Sequence, residues 1–154
     1  MIEIDEQFRV AAPVAAVWEV LSDPRAVVGC VPGAALVGEN PDGTYDGSLT
    51  VKFGPLAVAF QARVGLELEP ETHTGRLTAH GRDKQGGTRF RGAATFMVRQ
   101  SESGGSLVTI QGGVDISGRL ASMVESGASV VVKHLMAEFA ERLAARCAGN
   151  VVNG

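Results

Sequence analysis

A chain of 154 residues and 16.0 kDa has the size of one ordinary domain, and 45% hydrophobic against 20% charged residues is the make-up of a folded protein rather than a disordered one. The 14 Lys+Arg are outnumbered by 17 Asp+Glu, and a net charge of −3 removes the electrostatic case for a nucleic-acid binder. No run of about eighteen apolar residues encodes a membrane-crossing helix, and the acidic, alternating start MIEIDEQFRV is unlike a secretory signal.

Ile2, Ile4, Phe8 and Val10 lie among Glu3, Asp5, Gln7 and Arg9, and this period of two predicts a half-buried first strand. Pro13 opens a helix at the first turn, where its missing N–H costs nothing, and Val14, Val17, Trp18 and Leu21 give that helix an apolar stripe. Ser22-Asp23-Pro24 breaks it and starts a shorter helix running to about Cys30, after which Val31-Pro32-Gly33 turns the chain into a sheet. From Ala34 to Ser117 only strands are expected: Ala34–Glu39, Thr44–Phe53, Leu56–Glu69, Gly75–Arg82, Thr88–Arg99 and Leu107–Ser117. The breaks between them are turn chemistry, such as Asn40-Pro41-Asp42-Gly43, Gly54-Pro55, Gly86-Gly87 and Ser103-Gly104-Gly105. From Gly118 to about Cys147 the period changes, with Leu120, Met123, Val124, Val131, Leu135, Phe139 and Leu143 at three- and four-residue steps. Gly149-Asn150 is the expected stop of this long helix. The layout predicts an α+β, helix-grip fold, in which a curved antiparallel sheet of about seven strands wraps around the long C-terminal helix. One domain over 1–148 and a short tail at 149–154 are expected.

The alternation also assigns faces. Inward positions include Tyr45, Leu49, Phe60, Ala62, Phe90 and Ala94, and the helix adds Met123, Gly127 and Val131; these nine are the expected lining of a ligand cavity. Gly47, Ala62, Gly92, Ala94 and Gly112 put small residues on that face, which either leave a cavity or let the sheet bend and approach the helix closely. Tyr45 is the one inward titratable group named, while Glu67, Glu69 and Glu71 alternate to the solvent side. A greasy face without a poised acid, base or nucleophile points to binding rather than catalysis. His73, His80 and His134 make no metal-ligand spacing, Cys30 and Cys147 lie far apart as reduced thiols of a cytoplasmic protein, and no cofactor motif is present. Arg82, Lys84, Arg89 and Arg91 surround one hairpin turn and read either as solvated charge or as a docking site for anionic head groups or an acidic partner.

Three stretches carry a family resemblance: Pro13-x-x-x-Val17-Trp18-x-x-Leu21-x-Asp23-Pro24 followed by Cys30-Val31-Pro32-Gly33; Val51-Lys52-Phe53-Gly54-Pro55-Leu56; and Val114-x-Ile116-x-Gly118-Arg119-Leu120-Ala121. From Ile2 to about Ala145 the chain resembles the CoxG family of aerobic carbon monoxide dehydrogenases, within the START-like superfamily that includes polyketide cyclases. The resemblance implies a helix-grip domain with a hydrophobic cavity, and a non-catalytic partner of a molybdenum hydroxylase that serves membrane recruitment or coupling to the quinone pool. A lipid or an isoprenoid quinone is the implied cargo. The chain ends at Gly154 without the long tail of some relatives, which favours a soluble carrier with at most peripheral contact at the inner face of the cell membrane. Two other readings stay open. A cyclase- or dehydratase-type enzyme on the same fold would need an Asp, Glu or His beside the cavity. A ligand-free interaction module would dock through the basic hairpin or through the turn of Cys30, Pro32 and Gly33.

Overall fold

The computed structural model describes residues 1–85 and 87–153. Alternating residues form β1 (Ile2–Val10), and two short helices follow, α1 (Val14–Leu21) and α2 (Pro24–Val28). Six strands come next: β2 (Ala34–Glu39), β3 (Tyr45–Phe53), β4 (Leu56–Glu69), β5 (Thr74–Asp83), β6 (Thr88–Gln100) and β7 (Ser106–Gly118). The chain closes with α3 (Ala121–Asn153). The seven strands form one antiparallel sheet in the order β1-β7-β6-β5-β4-β3-β2, so β2 to β7 are a hairpin meander and β1 returns to pair with β7. This is the helix-grip architecture that the sequence predicts.

Two helix boundaries differ from expectation. The second helix ends at Val28, with the Asp23 side chain accepting from the Arg25 N–H at 3.1 Å as its N-cap. The long helix does not stop at Gly149-Asn150 but keeps a helical backbone to Asn153, in place of the expected tail. A glycine inside a helix costs only about 1 kcal/mol relative to alanine, too little by itself to end one.

Apolar packing seals the two ends of the space between sheet and helix. At one end Val10, Val17, Leu21, Val98, Val108, Phe139 and Leu143 form the main core, with Cys30 and Cys147 buried among them. Phe8 meets Phe139 edge-on at 6.0 Å, and Trp18 lies between Phe96 and the His73 imidazole. At the other end Val51, Val58, Phe60, Val124 and Ala128 are buried. Hydroxyls with no exposed surface fix the helices relative to the sheet. Thr88 Oγ1 accepts from the Leu120 N–H at 3.0 Å, just ahead of α3, and Ser106 Oγ donates to the Ala12 carbonyl at 2.7 Å, ahead of α1. Held in this way, α3 packs on β1, β3, β7 and α1, and the central strands β4, β5 and β6 stand off from it.

The stand-off depends on a bend in the sheet. A Cβ placed on Gly81 would overlap the Gln61 carbonyl, and one on Gly112 would overlap the Ala93 carbonyl, so both strands follow a course open only to glycine. Gly81→Ala and Gly112→Ala should each lower stability by about 1–3 kcal/mol, the usual cost of overpacking. Urea unfolding midpoints check this, and unchanged midpoints would show that the bend tolerates a methyl group. Burial pushes both cysteine thiols above their ordinary pKa, outweighing the Arg146 and Arg142 charges near Cys30. Both should resist a thiol reagent in the native protein and react at once in denaturant; fast native labelling of either would contradict the buried placement.

Candidate functional site

Cross-strand register gathers the inner face into rungs. Gly47, Ala62, Gly81, Phe90 and Ile116 make one, and Tyr45, Val64, Ala79, Gly92 and Val114 make the next. A third joins Leu66, Leu77, Ala94 and Gly112. Every residue of the first two rungs is half-exposed although it faces the helix, whereas Val58 and Val98 towards the sealed ends are 4% and 2% exposed. In a close-packed interior such positions are closed to solvent. Solvent therefore reaches an apolar space between α3 and the middle of the sheet.

Of the nine expected lining residues, Tyr45, Leu49, Ala62, Phe90, Ala94, Met123, Gly127 and Val131 are half-exposed. Phe60 is buried and meets Phe90 edge-on at 5.5 Å, so it supports the wall instead of facing the space. Gly127 lies at the sealed end, where a Cβ would come within 3.4 Å of the Phe53 ring. The room comes from Ala62, Ala79 and Ala94 together with the stand-off of β4–β6, while Gly81 and Gly112 serve the bend.

Three polar groups face inward, and two of them escape the sequence reading. Tyr45 is the expected one. Burial raises its pKa first, then the Glu39 charge, and the charges of Asp23 and Arg25 also reach it, which places it where α2 faces β3. Asp83 shares the inner phase of β5 and is 4% exposed, but its carboxylate accepts the Gly87 N–H at 2.9 Å and so holds the β5–β6 turn. Glu6 is half-buried on the inner side of the edge strand β1, opposite Ile110. Parity counted from Ile2 and Ile4 already marks Glu6 as inward. Among the described residues no three His, Cys, Asp or Glu side chains come together as a metal site, and no helix is long and apolar enough to cross a membrane.

The two expected docking surfaces fare differently. Cys30 is 1% exposed within the core and cannot meet a partner, because its side chain points inward from the end of α2. Pro32 and Gly33 reach the surface, yet Gly33 is seated on β3, its carbonyl accepting from the Thr50 N–H at 3.0 Å. That turn is a joint of the fold. Arg82, Lys84, Arg89 and Arg91 are all exposed, and they are more than a hairpin tip. On the outer face they line a groove of about 960 Å³ together with Arg63 and His80. Register, which local pattern does not reveal, brings in the last two: Arg63 stands opposite His80, and His80 opposite Arg91.

The model of the family described as carbon monoxide dehydrogenase CoxG matches residues 7–148. No curated protein matches the chain significantly. Among solved structures, a conserved protein from Geobacillus kaustophilus superposes with a TM-score of 0.82 at 17% identity, covering 96% of each chain. The Zhui aromatase/cyclase from Streptomyces sp. R1128 gives 0.66 at 14% identity, over 97% of this chain and 94% of that one. A START superfamily protein from Mycobacterium smegmatis gives 0.59 at 16%, over 92% and 96%. At these identities the likeness establishes the START-like fold.

At the margin of the outer groove, hydrogen bonds from Asn40 and Arg63 hold the Asp46 carboxylate below its usual pKa of 3.8. A lowered carboxylate pKa stabilises the fold above the unfolded value, and that contribution is lost as pH falls through the folded value. Asp46→Asn should therefore lower the denaturation midpoint slightly at neutral pH and converge with the parent protein below pH 3.8. Urea titrations across that range check it; a constant difference at all pH values would rule out an ionic origin.

Proposed function

Because the chain belongs to the CoxG family of carbon monoxide dehydrogenases, we propose that it is a non-catalytic accessory protein of a molybdenum hydroxylase of the carbon monoxide dehydrogenase type, carrying a lipid or quinone between its sheet and α3. The observation that carries this reading is the half-exposed inner face of β4–β6 between two sealed apolar ends. An apolar chain lying there would gain about 25 cal/mol for each Å² it takes out of water. Phe90, Leu49 and Leu66 would supply apolar contact, and Ala62 and Ala94 the space. Tyr45, at the α2 side, would offer a hydroxyl to a polar head. The cargo would serve the hydroxylase either as a membrane tether, with peripheral contact at the inner face of the cell membrane, or as a route for electrons to the quinone pool. No resident cofactor is part of this reading.

A second reading rests on Glu6. An inward carboxylate on a fold shared with an aromatase/cyclase is the minimum that cyclase- or dehydratase-type chemistry requires. Its neighbours argue for binding instead: Asp83 is engaged by the Gly87 N–H, and His80 and His134 lie on exposed surfaces, so no second acid or base is paired with it.

Solvent extraction of the purified native protein, followed by mass spectrometry, tests the carrier reading. A stoichiometric quinone or lipid is the expected result, and Ala94→Trp should abolish it with little change in the unfolding midpoint. Empty extracts, before and after incubation with membranes, would reject the carrier and leave a ligand-free interaction module. Extraction of a small polar product instead would favour the enzyme.

A further inference from the structure

The outer groove has an arrangement that costs the isolated protein energy. Arg82 of β5 stands directly opposite Arg89 of β6, and on the next rung His80 stands opposite Arg91. Like charges facing each other across a strand pair are destabilising. Among the described residues only Arg63 of this group has a carboxylate within salt-bridge distance, Asp46 at 3.1 Å. Asp115 is opposite Arg91 in register without forming an ion pair. On a chain with a net charge of −3, this gathering of unpaired guanidinium groups is a strong local reversal of sign.

Shape narrows what could neutralise it. The groove runs across the strands, from Val37 on β2 to Ser117 on β7, which is about 24 Å at the usual interstrand spacing. A second hollow of about 480 Å³ extends it over the small floor of Ala93 and Gly113, sharing His80, Arg91 and Asp115. A flat anionic bilayer could not enter this trough, and it would also meet Glu67 and Glu69 of β4 and Glu3 and Asp5 of β1 on the same outer side. A narrow segment lying in the trough meets the cations alone. We infer that the outer face of β4–β6 is a docking trough for an acidic segment of a partner protein, about seven residues long if extended, with Arg82 and Arg89 as its central pair of charges. The inference takes from the accessory reading only that the occupant is a protein. The trough lies across the sheet from the cargo space, so its test is independent of whether cargo is found.

The test uses the full chain and a fluorescein-labelled oligoglutamate of about eight residues, read by fluorescence anisotropy at low ionic strength. The parent protein should bind, and Arg82→Gln/Arg89→Gln should weaken binding about tenfold or more, as loss of a charge-assisted pair implies. Arg99→Gln, on β6 beyond the trough, should bind as the parent does. Without peptide the double variant should unfold at the same temperature as the parent or higher, because a repulsion is removed. Oligoglutamate should raise the melting temperature of the parent only. Binding indifferent to Arg82 and Arg89 would overturn the inference. So would equal competition by inorganic pyrophosphate, or sedimentation with phosphatidylglycerol vesicles in place of peptide binding.

Discussion

Neighbouring backbones meet at Gly81 and Gly112 more closely than any side chain would permit, and the curvature this allows governs the rest of the molecule. A flat sheet would press its middle strands onto α3 and fill the core. A bent and twisted one lets the helix rest on β1, β3 and β7 while β4–β6 stand away. A saddle has two concavities, one on each side. The inner one is the apolar space beneath α3. The outer one is the cationic trough, whose floor includes the backbone of Gly47 and Gly81. One local steric permission thus shapes both surfaces through which the protein could meet something else.

Much of this was legible in the sequence, and the failures have a common cause. Period two and turn chemistry reproduce the bounds of β2 and β4 and come within a residue of those of the other strands, because side-chain alternation follows directly from strand geometry. Facing follows from the same parity, and it marks Glu6 as inward once the count is carried through the polar run Asp5-Glu6-Gln7. What alternation leaves open is which outward residues become neighbours. Arg63, His80 and Arg91 lie on three strands and align only through register, which is set by the whole meander. The inner glycines are ambiguous for a similar reason. Space and close approach call for the same residue, and only the path of the adjacent strand tells them apart.

The stretches that carry the family resemblance prove to be joints of the fold. Trp18 packs on Phe96 and His73, Gly33 is fastened to Thr50, Phe53 meets α3 at Gly127, and Leu120 is held by Thr88. Joints tolerate little variation, so they identify the family and architecture firmly. The lining residues are ordinary apolar side chains that exchange for one another at small cost, and they form no compact pattern. Fold and family are therefore written in motifs, and cargo is written in volumes.

The hairpin joining β5 to β6 has one further consequence. Its outer side presents Arg82, Lys84 and Arg89 to the trough. Its inner side begins one residue away: Asp83 holds Gly87, the Gly87 carbonyl accepts from the Arg119 N–H at 2.9 Å, and Thr88 accepts from Leu120. In mechanical terms the turn is a fulcrum shared by both faces. Whatever shifts Arg89 also shifts Thr88, and with it the hinge end of the helix that roofs the apolar chamber.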